Sequence, residues 1–285
     1  MKKIAVVCAQ GFGDALILQI ASCQLKKQGF SVTAFSNHLK AFGSWFEGFA
    51  FENQPDCETL RETFAPFDAV FLQHDNSDKA KKICELEIPV YRFYGSHSAE
   101  KHGPLKEGFD YVCDPNRSMT DNVTESLKVL FGFAAGKENG LTPLPGLVHR
   151  RFKSRVAIHP SSGASHRNWP LAKYEAVAKR LEEMGFEPVF CPQFPALGDL
   201  ASFLYESGFF IGNDSGPGHL ASCLRIPHLV IAENERYMRL WRPGWLPGEL
   251  AVLPGWLPRR IRRHWKTLIS TNRVIKKLKN RVLNN

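Results

Sequence analysis

The 285 residues contain no run of 18 or more apolar residues, so no membrane-spanning helix is expected. Cysteine is sparse and scattered. Cys8, Cys23, Cys57, Cys84, Cys113, Cys191 and Cys223 are odd in number and include no Cys-x-x-Cys pair. That pattern indicates neither a disulfide framework nor a zinc site, and it fits a reducing cytosol. No Asp-x-Asp pair occurs, nor any other cluster with metal-ligand spacing. The apolar run near the N-terminus spans only about five or six residues and ends in a glycine turn, so it reads as a first strand and not as a secretory signal. Acidic residues are missing from one stretch altogether: 259–285 carries ten Lys or Arg and no Asp or Glu. The net charge is +9, yet outside that stretch 27 basic residues face 28 acidic ones. A near-neutral body argues against nucleic acid as a partner and confines the electrostatics to one end.

What is present is a repeated alternation of strands and helices. Lys3 to Ala9 reads as a buried strand, and Gln10 to Asp14 as a turn. Asp14 to Lys27 carries Leu16, Ile17, Ile20, Ala21 and Leu25 at helical spacing. Gly29 stops that helix, and Ser31 to Phe35 resumes as a strand, which completes one βαβ unit. The turn is not a dinucleotide fingerprint, because the third glycine is out of place. Shorter elements follow, with strands expected at 68–74 and 89–93 and a helix over 121–133. His97 to Arg117 is polar and irregular, a substrate-facing loop or a long connection. Gly and Pro then crowd 136–146, which reads as a linker. The alternation restarts with a strand over 155–159, a helix over 171–184, strands near 188–191, 209–212 and 227–231, and helices over 197–206 and 216–224. Such repetition predicts parallel α/β sheets. A length of 285 residues suits two domains, expected at 1–140 and 150–258, with 259–285 as a basic amphipathic tail. A single larger α/β domain is the alternative.

Two strand-to-helix turns of the second half carry the chemistry. Asp214-Ser215-Gly216-Pro217-Gly218-His219 follows the apolar Phe209-Phe210-Ile211 and opens a helix. A helix start there aims backbone N–H groups and a positive dipole end at the turn, which suits a phosphate. The bland reading is an ordinary helix capped by Asp214 or Ser215. The second turn, Ser161-Ser162-Gly163-Ala164-Ser165-His166-Arg167, leaves the strand ending at His159 and supplies a fixed cation. In doubly wound folds such turns meet at the carboxyl ends of the strands, where ligands bind.

At these residues the chain resembles glycosyltransferase family 9, the lipopolysaccharide heptosyltransferases. The family's Asp-Ser/Thr-Gly-Pro-x-His is similar to Asp214–His219. Its Gly-Ala…Lys-x-Trp-Pro segment is similar to Gly163-Ala164…Arg167-Asn168-Trp169-Pro170. Its opening Gly-Asp-x-x-Leu turn is similar to Gly11-Phe12-Gly13-Asp14-Ala15-Leu16. The three matches fall in the family's order and span both halves. The resemblance implies a GT-B architecture, two Rossmann-like domains facing a cleft. It implies metal-independent inverting transfer of a sugar, heptose in the family, from a nucleotide diphosphate donor such as ADP-heptose. The acceptor would be a lipopolysaccharide core or another lipid-linked or polysaccharide glycan.

In that reading Asp14 is the general base, although the residue alone fits a helix cap as well. The donor is held by Ser161, Ser162, Gly163, Arg167, Asp214, Ser215, Gly216 and His219. Arg167 stands where the family has Lys and can neutralise a diphosphate in bidentate fashion. Trp169, Pro170 and His159 read as packing residues. No cofactor beyond the donor substrate is expected. The chain departs from the family in two places. Few residues separate Cys191 from the next helix, without the Glu that often helps to hold the nucleoside. Ala232-Glu233-Asn234 also stands where Gly-Pro-Thr is usual. A non-catalytic nucleotide-sugar or membrane-surface binding protein and a sugar-nucleotide epimerase are the alternatives. The tail places Val274, Ile275, Leu278 and Val282 at helical spacing among Lys and Arg. That pattern suits an anionic membrane surface, or a stripe packed on the protein. The expected location is cytoplasmic, with peripheral contact at the inner membrane.

Overall fold

The structure, a computed structural model, describes residues 1–281 and forms two compact units, one ending at Thr142 and one beginning at Pro143. In the first unit the strands are β1 (Lys3–Val7), β2 (Ser31–Phe35), β3 (Ala50–Glu52), β4 (Ala69–His74), β5 (Val90–Tyr94) and β6 (Asp110–Val112). They make one parallel sheet in the order β3-β2-β1-β4-β5-β6. This is the Rossmann order, and its switch point lies between β1 and β4.

Helix α1 (Phe12–Lys27) follows β1 and is buried without interruption from Ala15 to Leu25. A helix apolar on most sides has to be covered, and the principal helix against it is α6 (Met119–Phe131). Short helices α2 (Asn37–Ala41), α3 (Leu60–Phe64), α4 (Asp78–Ile83) and α5 (Ala99–His102) fill the remaining crossovers. β6 and α5 both fall inside the segment that reads as irregular in the sequence.

In the second unit β7 (Phe152–His159), β8 (Glu187–Phe190), β9 (Ser207–Asn213), β10 (His228–Asn234) and β11 (Glu249–Leu253) form a parallel sheet ordered β11-β10-β9-β7-β8. The chain starts in β7, steps outward to β8, and returns past β7 to β9. This is the flavodoxin-like order, with the switch point between β7 and β9. Helices α7 (Leu171–Glu182), α8 (Leu197–Glu206), α9 (Gly216–Cys223) and α10 (Glu235–Trp241) connect the strands. α9 sits tight on the sheet: a Cβ at Gly218 would come within 3.3 Å of Val230 and 3.6 Å of the Asn213 carbonyl. Glycine there permits close helix–strand packing, as the third glycine does in dinucleotide turns.

The basic segment is not a separate tail. It folds into α11 (Arg259–Arg262), α12 (Trp265–Leu268) and α13 (Thr271–Arg281), and α13 packs on α7 and β11. Trp265, Ile269, Val274, Ile275 and Leu278 belong to the same core as Val156, Ile158, Ile211 and Ile231. Lys173 Nζ donates to the carbonyls of Lys266, Thr267 and Ile269 at 2.7–3.0 Å. Arg273 donates to the Val252 carbonyl at 2.6 Å, and Lys277 pairs with Glu249 at 3.1 Å. The apolar stripe therefore faces protein and is not available to a bilayer, so of the two readings of Val274, Ile275 and Leu278 the packed stripe is the one that forms. The hydrophobic gain of covering α7 and β11 decides it. Val282, expected on the same stripe, lies outside the described residues.

Candidate functional site

The turn after β1 places Asp14 in the first unit. Gly11 is the N-cap of α1, and Asp14 lies in the helix's first turn, not at the cap. The Asp14 carboxylate accepts a hydrogen bond on Oδ1 from Gln73 Nε2 at 2.7 Å. A Cβ at Gly11 would run into Asp14 Oδ2, so the glycine makes room for the carboxylate. Gln73 comes from the end of β4, across the switch point, and its Oε1 accepts the Ala9 N–H at 3.2 Å. Cys8, beside this turn, is buried, and both burial and the nearby Asp14 carboxylate push its thiol pKa up, which leaves it an inert thiol.

In the second unit the two turns identified in the sequence meet at the β7/β9 switch point. The joint is Asn213, fully buried at the end of β9. Its Oδ1 accepts the Trp169 backbone N–H and the Tyr174 hydroxyl, each at 2.9 Å. Its Nδ2 donates to the Pro160 carbonyl at 2.6 Å. One amide thus fixes both ends of the 160–169 loop against β9. The loop adds its own ties. His159 Nδ1 donates to the Ser161 carbonyl at 3.0 Å, and burial lowers the His159 pKa, so the ring is neutral and structural. Ser162 Oγ lies 2.7 Å from Asn168 Oδ1 and 2.9 Å from the Ala164 carbonyl, so its hydroxyl serves the loop's shape. Ser161 is exposed, and a Cβ on the exposed Gly163 would meet nothing.

At the second turn Ser215 is the N-cap residue of α9 but makes no side-chain cap bond. Its hydroxyl donates to the Asn213 carbonyl at 3.2 Å instead. Gly216 and Pro217 then open the helix, and Pro brings no N–H of its own. Ser215 is therefore not the side-chain cap of α9, and a helix N-terminus whose cap residue makes no such bond is the arrangement an anion exploits.

Arg167 closes the site from the other loop. Its guanidinium stands 3.9 Å from Asp214 Oδ2, 3.4 Å from the Tyr237 hydroxyl and 5.7 Å from the centre of the Tyr237 ring. Asp214 is thus the counter-charge that holds Arg167. A carboxylate repels a phosphate, so its place in a donor site is to orient the cation. His219 is buried, and burial together with His228 lowers its pKa to about 4. Near neutral pH it offers a hydrogen bond and no charge.

Beyond Arg167 a pocket of about 230 Å³ opens, lined by His166, Arg167, Asp214, Ala232, Glu233, Asn234, Tyr237 and Trp265. Tyr237 forms an aromatic wall: it stacks on Trp241 at 6.0 Å with planes 22° apart and is 37% exposed. Sequence reading missed Tyr237, Trp265 and Glu233 as site residues. The first two carry no motif, and Trp265 arrives from a segment that reads as a tail. It also missed Gln73 and Asn213, polar residues at strand ends whose partners lie 39–64 positions away.

No family model matches the sequence, and no curated protein matches it. Solved structures match over the whole chain. A glycosyltransferase family 9 protein from Veillonella parvula has a TM-score of 0.70 at 16% identity, covering 100% of this chain and 98% of that one. The Escherichia coli ADP-heptose lipopolysaccharide heptosyltransferase II has a TM-score of 0.69 at 14% identity, covering 100% and 99%. The E. coli heptosyltransferase WaaC, solved with ADP, has a TM-score of 0.66 at 16% identity, covering 97% and 99%. The likeness is one of fold: two parallel α/β units of the heptosyltransferase type, as the resemblance implies.

Proposed function

We propose that the chain is an inverting glycosyltransferase of the family 9 type that takes its sugar from a nucleotide diphosphate. The observation that carries this is the convergence at the β7/β9 switch point. The α9 N-terminus, whose cap residue Ser215 makes no side-chain cap bond, Arg167 held by Asp214, and the Tyr237-walled pocket stand side by side. They match two parts of such a donor, its diphosphate and its nucleoside. The α9 N-terminus and Arg167 take the diphosphate, with Ser161, Gly163, Ser215, Gly216 and His219 around it. The pocket takes the nucleoside, its base against Tyr237 and its polar edges toward Glu233 and Asn234. Charge neutralisation by Arg167 and the helix dipole lets the leaving diphosphate depart without a metal ion.

The first unit receives the acceptor, and Asp14 takes the proton from its attacking hydroxyl. The name of the E. coli ADP-heptose lipopolysaccharide heptosyltransferase II makes ADP-heptose the first donor to try, and a lipopolysaccharide core or related glycan the first acceptor. We further propose peripheral contact with an anionic membrane surface through residues 256–268. Trp256 is 78% exposed, and Ile261 and Leu268 are exposed beside Arg259, Arg260 and Arg263.

The test is direct. Purified protein is offered a panel of nucleotide diphosphate sugars, ADP-heptose among them, with and without core glycan acceptors, and nucleotide release and glycan mass are measured. Acceptor-dependent release with a matching gain in glycan mass is expected. Donor binding without release would make the chain a binding protein, and sugar isomerisation without transfer would make it an epimerase.

A further inference from the structure

We propose that Gln73 is a positioning residue for Asp14, setting the orientation of its carboxylate. The inference rests on the glycosyltransferase reading above. Gln73 is the penultimate residue of β4, only 6% exposed, and its amide spans the switch point of the first sheet. The direction of the amide is dictated by its partners. The Ala9 backbone N–H can only donate, so Oε1 has to face it, and Nε2 therefore faces Asp14. A flipped amide would set two donors against each other at Ala9 and two acceptors against each other at Asp14.

Two consequences follow from that geometry. A donor 2.7 Å from Oδ1 stabilises the charged form of the carboxyl, the form a general base needs. The same bond fixes the carboxylate plane, with Oδ2 over Gly11, where a Cβ would collide with it. Gln73 thereby makes Oδ1 the anchored oxygen of the carboxylate. A side chain whose amide is held by the backbone N–H of Ala9 has few alternative rotamers, so the pairing is built in before substrate arrives.

The variant that separates positioning from mere packing is Gln73→Glu. It keeps the size and the acceptor for Ala9 N–H, and it replaces the donor to Asp14 with a second carboxyl. Two carboxyl groups at that distance share a proton, so the acid limb of the kcat profile is expected to move up by roughly one pH unit or more. Gln73→Met removes the donor without adding charge. It is expected to lower kcat by roughly 10- to 100-fold, the scale of a misplaced catalytic group, with the donor KM unchanged. The unchanged KM also reports a folded second unit, and the far-ultraviolet spectrum reports the fold of the first.

Titration of the Asp14 carboxyl by carbon NMR, in the wild type and in Gln73→Glu, gives a readout that does not need turnover. A raised Asp14 titration in the variant supports the inference even if no transfer is found, in which case the transferase reading fails by itself. An Asp14 titration and an acid limb both unmoved in Gln73→Glu would overturn the inference while leaving that reading intact.

Discussion

Asn213 accepts the backbone N–H of Trp169 at 2.9 Å, and through that bond the two turns of the second unit are one structure. The hydrogen bond is fully buried, as are both residues. Asn213→Leu would leave the Trp169 N–H, the Tyr174 hydroxyl and the Pro160 carbonyl without this partner. An orphaned buried group costs roughly 1–3 kcal/mol. Urea unfolding should therefore show a loss on that scale or larger, and donor binding should fall with it. A variant as stable as the wild type would mean that water or repacking satisfies these groups.

Asp14→Asn keeps the volume and the Gln73 contact but removes the proton acceptor. Transfer is expected to fall by at least about 100-fold, the usual scale for general-base loss, with donor affinity little changed. Steady-state kinetics and donor titration measure the two separately. Near wild-type turnover would remove Asp14 from the mechanism.

Arg167 and Tyr237 should fail in different ways. Arg167→Ala is expected to weaken nucleotide diphosphate binding by about 1.5 kcal/mol, the low end for a hydrogen bond to a charged group, because the guanidinium is half exposed. Binding of the nucleoside alone should be untouched. Tyr237→Ala removes the aromatic wall and should cost the nucleoside itself about 1–3 kcal/mol, the range for base stacking. Calorimetry with nucleoside and nucleoside diphosphate on both variants distinguishes them. Equal losses on both ligands in both variants would mean that the pocket is not divided this way.

The first unit's β1–α1 turn and the second unit's β7 and β9 turns are legible because their signals are local. An apolar strand runs into glycines, and a periodic helix follows. β6 and β11 are not legible. β6 is three residues long and sits in a polar, glycine-bearing stretch, and its strand state comes from pairing with β5. β11 is held by β10. The same limit hides Gln73 and Asn213. A polar residue at a strand end announces nothing until the register and crossovers bring Asp14 or Trp169 to it. The basic segment misleads for the complementary reason. Its periodicity is plain, but what covers the apolar stripe depends on the surfaces that α7 and β11 leave open.

His219 gives a pH prediction whose sign is fixed by burial. Its folded pKa, about 4, lies below the ordinary histidine value near 6.5. The unfolded chain therefore binds the proton more readily than the folded one. The contribution of neutral His219 is fully present above pH 6.5 and is lost as the pH falls from there toward 4. Linkage gives about 2 kcal/mol less stability at pH 5 than at pH 7 from this group alone. Urea midpoints at the two pH values, in the wild type and in His219→Gln, provide the check. The variant should lose that part of the slope; an unchanged slope would assign the acid sensitivity to other groups.

The basic segment yields the last prediction, and the fold dictates how it has to be tested. Truncation after Pro258 is the obvious experiment on sequence grounds. In the structure it would strip Trp265, Ile269, Val274, Ile275 and Leu278 from the second unit's core. Large apolar losses cost several kcal/mol each, so the truncated protein is expected to unfold, and its failure to bind anything would be uninformative. Charge reversal is the better probe. Arg259, Arg260 and Arg263 are exposed beside Trp256 and Ile261, and none of the five belongs to the core. Each cation near an anionic surface contributes about 1 kcal/mol, screened by salt. The intact protein should sediment with vesicles containing phosphatidylglycerol at low salt and be released at high salt. The variant carrying Arg259→Glu, Arg260→Glu and Arg263→Glu should stay in the supernatant with an unchanged melting temperature, while Trp256→Ala should weaken binding without altering its salt dependence. If the triple variant sediments like the wild type, these arginines do not face a membrane, and the positive charge of the segment serves the fold alone.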